Sequence, residues 1–371
     1  MTAIPLGVLD LVPVSSGSTP REAVAATLDL VRRAEAAGYA RYWFAEHHFN
    51  PGVIGSSPAA LIALAGGVSE RIRLGSGAIQ LGPQSTEATL AEEFALLDAA
   101  FPGRIDLGLG RSGLATGGPS GPETAAESVT GEGLLIPEPF RFERVFAAPK
   151  FRTLGALLTR GDGGPAFADQ VETVLALLGD GVGAGDERVS LGSRSADSAG
   201  PEVRLFGSGT LTAELAGRLG LPFAANYHSA PSGVVVSVDA YRRSFVPSDR
   251  LDRPHVVVSA DVLAASTAER AAELARGYGA WVRSIRTGSG AIPYPSPAEA
   301  AALEWTDEDG RLVDDRLRTR FVGTPAEVAD RLEVLRAATG ADELLLTTIT
   351  HDPEARATSH EAIAREWARR G

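Results

Sequence analysis

Short apolar runs rich in Val, Ile and Leu alternate along the chain with Ala- and Leu-rich segments of helical period. Strands buried on both faces read as near-continuous apolar runs, whereas the helices covering them are apolar along one stripe, so this alternation predicts repeated βα units around a parallel sheet. The pattern places strands at Pro5–Leu11, Arg41–Ala45, Ile72–Leu81, Arg104–Leu109, Val203–Phe206, Phe223–Asn226, His255–Ala264 and Glu343–Thr348. An α/β fold of the (β/α)8 TIM barrel kind, with loop insertions at the barrel mouth, follows. The first helix is expected from Pro20, where Thr19 can cap and Pro suits the first turn, to Gly38. Later helices are expected to begin near Thr210, Ser237, Thr267 and Thr324.

Three stretches break the rhythm. Gly113–Gly133 and Gly179–Gly200 are rich in Gly, Ser and Asp without periodicity and read as surface loops. Arg286–Arg316, carrying Gly-Ser-Gly and Pro-Tyr-Pro-Ser-Pro, interrupts the last units; it folds over the barrel mouth or is an excursion without function. None reads as a linker, so residues 1–371 are expected to form one domain.

Composition then narrows the chemistry. The formal charge of −12 opposes attraction to nucleic acid or anionic membranes and leaves a small molecule as the expected partner. With no Cys, the chain has no disulfides, thiolate metal sites or cysteine nucleophiles, so redox chemistry would need an organic cofactor. No metal site is expected, because the adjacent His47 and His48 rarely aim both rings at one ion. Lys150, the single lysine, stands in Ala-Pro-Lys-Phe-Arg-Thr, which reads as a loop away from any strand end and argues against a Schiff base. The opening residues lack a basic signal region, and no apolar run approaches a membrane span, so a cytoplasmic protein is expected.

Barrel enzymes carry their chemistry at the carboxyl ends of the strands. The second strand ends in Glu46-His47-His48, with Glu46 and His48 on one side and His47 on the other; such strand-end residues also often do no more than cap loops. The third contains Gly75-Ser76-Gly77-Ala78, poor in side chains, as if something flat approached the backbone. The fourth closes on Gly108-Leu109-Gly110-Arg111, and Arg suits a phosphate. After the fifth come Gly207, Ser208, Gly209 and Thr210 at the start of a helix, where amides, hydroxyls and the helix dipole favour an anion; an ordinary cap would look the same. His228 follows the sixth strand as a further acid or base, while His255, His351 and His360 read as structural or surface groups.

Together these segments resemble the luciferase-like monooxygenase family. The resemblance is carried in order by Arg41 to Phe49 (RYWFAEHHF), Leu74 to Gly77 (LGSG), Phe101 to Arg111 (FPGRIDLGLGR) and Leu219 to Ala224 (LGLPFA). It implies that His47 and His48 border the substrate side of a flavin and that Gly77 and Ala78 form a non-prolyl cis peptide beneath its ring. It also implies that Arg111, Ser208 and Gly209 bind the phosphate, and that the protein is a homodimer. Two departures leave the substrate open: Pro83-Gln84-Ser85-Thr86 where relatives usually read Asn-His-Ser-Pro, and Ser112-Gly113 opening a Gly/Pro-rich insertion.

The leading expectation is a monooxygenase using reduced FMN, supplied by a separate flavin reductase, and O2 to oxygenate a small organic substrate, with His47, His48 and His228 as proton-handling groups. Its cofactor would touch Glu46, Ser76, Gly77, Ala78, Gly110, Arg111, Gly207, Ser208, Gly209 and Thr210. One alternative keeps the barrel but binds a deazaflavin coenzyme and transfers hydride. Another is a partner subunit that binds flavin without turnover.

Overall fold

The computed structural model describes residues 3–81, 86–111, 125–158, 165–184, 187–193 and 199–371. Eight parallel strands close on themselves: Leu6–Asp10, Arg41–Phe44, Arg73–Ser76 with its continuation Ile79–Leu81, Ile105–Arg111, Glu202–Gly207, Phe223–Asn226, Val256–Ala264 and Glu343–Thr347. The last strand pairs with the first, and the fifth with the fourth, so the sheet has no free edge. This is the barrel that the alternating pattern predicts. The third strand is not continuous over Ile72–Leu81: it breaks at Gly77–Ala78, whose peptide is cis, and both pieces pair with the fourth strand.

The helix starts follow local capping chemistry. Thr19 and Glu22 form a reciprocal capping box at Pro20, Thr324 and Glu327 repeat it at Pro325, and Thr267 caps Ala268. One helix begins at Val234 rather than Ser237, because the tight turn Pro231–Gly233 already sets the chain on a helical path. Lys150 lies in the helix Pro149–Leu158, not in a loop. The spacing of Phe151, Leu154 and Leu158 supplies an apolar stripe that makes the segment after Pro149 helical. Of the two predicted loop stretches, the described parts include the small antiparallel pairs Ser128–Val129 with Leu135–Ile136 and Val182–Ala184 with Glu187–Val189. Residues 83–85 and 112–124 lie outside the described residues. Among the described residues no helix is long and apolar enough to cross a membrane.

Inside the barrel the side chains form layers. At the amino-terminal end Arg41 reaches Asp106 at 2.7 Å and Glu343 at 3.0 Å, and the indole Nε1 of Trp43 donates to Asp106 at 2.9 Å. Burial alone would raise the Asp106 carboxyl, but the Arg41, Arg204 and Arg73 guanidiniums outweigh it and hold the pKa below the usual range. Above this ionic layer sits an apolar plug that includes Leu9, Trp43, Phe206, Val257 and Leu345, with Trp43 and Phe206 edge to face at 5.3 Å. The barrel is therefore closed below and open only toward the strand ends.

Candidate active site

A cavity of ≈ 280 Å³ rests on Leu9 and Phe206 at the carboxyl ends of the strands. Its wall brings together Glu46, His47, Gly77, Ala78, Gly110, Arg111, Gly207, Ser208, Gly209 and His228. Sequence reasoning had singled out all ten. Three others do not join them. Ser76 is fully buried in its strand, where its Oγ donates to the Gly108 carbonyl and accepts the Gly108 N–H, both at 2.9 Å. Thr210 opens its helix outside the wall, which is completed one turn on by Thr212. His48 faces a second cavity instead.

Gly209 caps the helix Thr210–Arg218 without any side-chain hydrogen bond, so the first amides of that helix have no side-chain acceptor at the cap. They follow Ser208, and Arg111 lines the same cavity from the neighbouring strand, an arrangement suited to a phosphate. The turn is packed closely from behind: a Cβ on Gly233 would stand 2.5 Å from the Ser208 carbonyl oxygen.

Part of the glycine-rich character of the third and fourth strands has another origin. A Cβ on Gly75 would lie 2.6 Å from the Asp106 carbonyl oxygen, and one on Gly108 would lie 2.1 Å from that of Ser76. These two glycines serve close packing inside the barrel, whereas Gly77 and Gly110 face the cavity.

The Glu46 carboxylate is already committed. One oxygen is 2.8 Å from His48 Nε2, and the other accepts the Gln80 backbone N–H at 2.6 Å. Gln80 Nε2 returns a bond to the Glu46 carbonyl at 3.2 Å. Glu46 thus ties the second strand end to the far half of the broken third strand and orients His48.

His47 is held through its backbone N–H on the Gly55 carbonyl, while its Nδ1 is buried with no hydrogen-bond partner among the described residues. Burial, then the neighbouring His48, push its pKa down to about 4. His228 places Nδ1 2.6 Å from Ser259 Oγ, and burial, then Arg316 and His47, push it down to about 3. Both imidazoles are therefore neutral at pH 7, with one nitrogen donating and one accepting.

The second cavity, also ≈ 280 Å³, shares Leu11, His47 and Gln80 with the first, so the two meet at His47. Its remaining wall is mostly apolar and includes Phe146, Phe151, Leu154 and Trp281. Ala291 reaches it from the segment Arg286–Arg316, which is bound across the mouth by Gly52 N–H to the Ala291 carbonyl at 2.9 Å and Ser16 N–H to the Tyr294 carbonyl at 2.9 Å. Between these loops Val12 holds φ +51°, a costly conformation for a β-branched residue, with its N–H on Asp10 Oδ1 at 2.7 Å. Sequence reasoning missed Gln80, Thr212 and the apolar part of this second wall; the spacing of Phe151, Leu154 and Leu158 was the available signal.

A closed parallel barrel whose strand ends gather an uncapped helix start, a glycine-lined slot and buried histidines around one cavity defines an α/β-barrel protein of the TIM type. The model of the luciferase-like monooxygenase family matches residues 4–118 and 151–343, and the chain belongs to that family. It is 34% identical to the protein YvbT of Bacillus subtilis over 365 residues, covering 98% of this chain and 97% of that one. It is 31% identical to a luciferase-like monooxygenase of Escherichia coli, covering 96% and 95% of the two chains. Among solved structures, that of apo-MsnO8 superposes with a TM-score of 0.78 at 26% identity, covering 98% of each chain. Two more distant structures share the fold. The oxygenating constituent of 3,6-diketocamphane monooxygenase from Pseudomonas putida, in complex with FMN, matches at TM-score 0.65 and 20% identity over 99% of this chain and 98% of that one. A secondary alcohol dehydrogenase dependent on coenzyme F420, with an acetone adduct of that coenzyme, matches at 0.62 and 16% over 99% of each chain.

Proposed function

We propose that the protein is a monooxygenase that binds reduced FMN in the first cavity and oxidises a small organic substrate held in the second. The observation that carries this reading is the meeting of the two cavities at His47, a neutral imidazole with an unpartnered buried nitrogen. The described residues fit the cofactor: Arg111, Ser208 and the amides after Gly209 suit a phosphate, and Gly77, Ala78 and Gly110 leave a wall poor in side chains for a planar ring. When bound, reduced FMN supplies the two electrons that convert O2 into one oxygen atom on the substrate and one water.

The chain's own residues bind, orient and manage protons. Arg111 and Ser208 fix the phosphate, and Gly77 and Ala78 leave room for a planar ring. The apolar plug and the crossing segment exclude water from below and above. His47 holds or hands on a proton at Nδ1, between cofactor and substrate. His48, gripped by Glu46, lines the substrate side, and His228 lines the cofactor side.

A separate flavin reductase would supply the reduced cofactor. A homodimer is what the family resemblance implies, and exposed Leu64 and Leu96 on the packed helices Pro58–Gly66 and Glu87–Ala100 are candidate contacts for it.

The test is an anaerobic titration with reduced FMN and with a reduced deazaflavin, followed by air. Stoichiometric FMN binding and oxygen consumption that becomes coupled to product in the presence of substrate are expected. Binding of the deazaflavin alone would overturn the proposal in favour of hydride transfer, and binding of neither in favour of a partner subunit.

A further inference from the structure

His47 and His228 both line the first cavity, and among the described residues only His228 has a ring nitrogen held by a side chain: its Nδ1 lies 2.6 Å from Ser259 Oγ. The holder belongs to the seventh strand. Val257 is part of the apolar plug, and alternation along Val256–Ala264 puts Ser259 on the same inward side, one layer higher. The register pairs Ser259 with Asn226, two residues before His228, so the hydroxyl stands where the chain leaves the sixth strand. Ser259 is 2% exposed, and its place is set by the sheet and not by a loop.

A serine hydroxyl has one hydrogen to give, and two acceptors stand near it: His228 Nδ1 at 2.6 Å and the Ala225 carbonyl at 3.4 Å. Hydroxyl donors bond at about 2.5–3.0 Å, and N–H donors at about 2.7–3.2 Å. The shorter separation fits the hydroxyl as donor, and the longer one does not compete for its hydrogen. Nδ1 is then the acceptor, and the ring hydrogen sits on Nε2. Nε2 has no hydrogen-bond partner among the described residues, yet it is not closed in by protein, and its ring lines the cavity. Burial, then Arg316 and His47, keep the imidazole uncharged at neutral pH.

We propose that Ser259 is a positioning residue that locks His228 as the Nε2–H tautomer, making it a neutral hydrogen-bond donor to an oxygen acceptor in the first cavity and not a carrier of protons. The acceptor chemistry it fits is a carbonyl or anionic oxygen on the edge of a heteroaromatic ring. This rests on the FMN reading for the identity of the acceptor, but not for the tautomer. His228 has no free base to offer, because its acceptor nitrogen is occupied by Ser259 and its other nitrogen already carries the hydrogen. The two cavity histidines thus divide the work: His228 donates a fixed hydrogen bond, and proton handling stays with His47.

Nitrogen-15 NMR of protein labelled at histidine reads the tautomer directly, with His228→Gln identifying the resonances. The natural protein should show one tautomer for His228, protonated at Nε2 and bonded at Nδ1. Ser259→Ala should release the ring into a mixture of tautomers, and Ser259→Thr, which keeps the hydroxyl, should restore the single one; a merely structural role would not produce that pattern. Quenching of flavin fluorescence then measures FMN affinity. His228→Ala should weaken it by about tenfold, the value of one hydrogen bond, whereas His228→Gln, which keeps an N–H donor, should stay within about threefold. An Nδ1–H ring in the natural protein, a single tautomer that survives Ser259→Ala, or a His228 resonance that titrates near the ordinary value of about 6.5 would overturn the inference. Equal FMN losses in His228→Ala and His228→Gln would overturn it as well. Failure of the natural protein to bind FMN, with the tautomer pattern intact, would overturn the FMN reading alone.

Discussion

His48 Nε2 lies 2.8 Å from Glu46 Oε1, and the opposite oxygen of that carboxylate accepts the Gln80 backbone N–H at 2.6 Å. One side chain thus fixes a histidine and the strand segment beyond the cis peptide. Glu46→Ala should leave the Gln80 amide unsatisfied and destabilise the fold by about 1–3 kcal/mol, while Glu46→Gln, which keeps an acceptor, should cost less than half of that. Urea unfolding of both variants measures the difference. Equal losses would mean that the carboxylate's charge matters and its hydrogen bonds do not.

Arg111 and the Ser208–Gly209 turn are assigned to the phosphate. Arg111→Ala should weaken FMN binding by about ten- to a hundredfold and leave riboflavin, which has no phosphate, nearly unchanged. Fluorescence titrations with both flavins give the ratio. Equal weakening would place Arg111 against the ring and not the phosphate.

His47 is assigned to proton handling at the junction of the cavities. His47→Ala should lower kcat by about 10²–10⁴-fold while changing FMN affinity by less than about threefold. Because burial holds His47 and His228 at about 4 and about 3, kcat/KM should have no acid limb near the ordinary histidine value of 6.5. A limb should appear only as pH approaches 4. Stopped-flow rates across that range decide it, and a limb at 6.5 would show that at least one of the imidazoles the reaction needs is solvated in the working enzyme.

His360 carries a stability consequence remote from the site. It is 1% exposed beside Tyr39, and burial, then Arg356, push its pKa down to about 3. The unfolded chain therefore takes up that proton more readily than the folded one. The contribution of this neutral histidine is fully present above pH 6.5 and is lost as pH falls toward 3, at up to about 1.4 kcal/mol per pH unit. His360→Gln should flatten the dependence of the urea midpoint on pH between about 4 and 6 relative to the natural protein. An unchanged slope would assign the acid lability to other groups.

Periodicity and capping chemistry are local, and what they govern was legible in the sequence. The barrel strands, the caps at Thr19, Thr267 and Thr324, and the clustering of strand-end residues such as His47, Arg111, Ser208 and His228 in one cavity all follow from where each run of apolar residues ends. A parallel barrel brings its carboxyl ends together whatever the loops do. Tertiary packing decided the rest. Ser76 and Gly108 face the neighbouring strand, and Thr212 replaces Thr210, because pleat and helix phase set direction within one residue. The second cavity was not legible: Val53, Phe151 and Trp281 come from three separate connections, and no local pattern records that long-range packing sets them around one space.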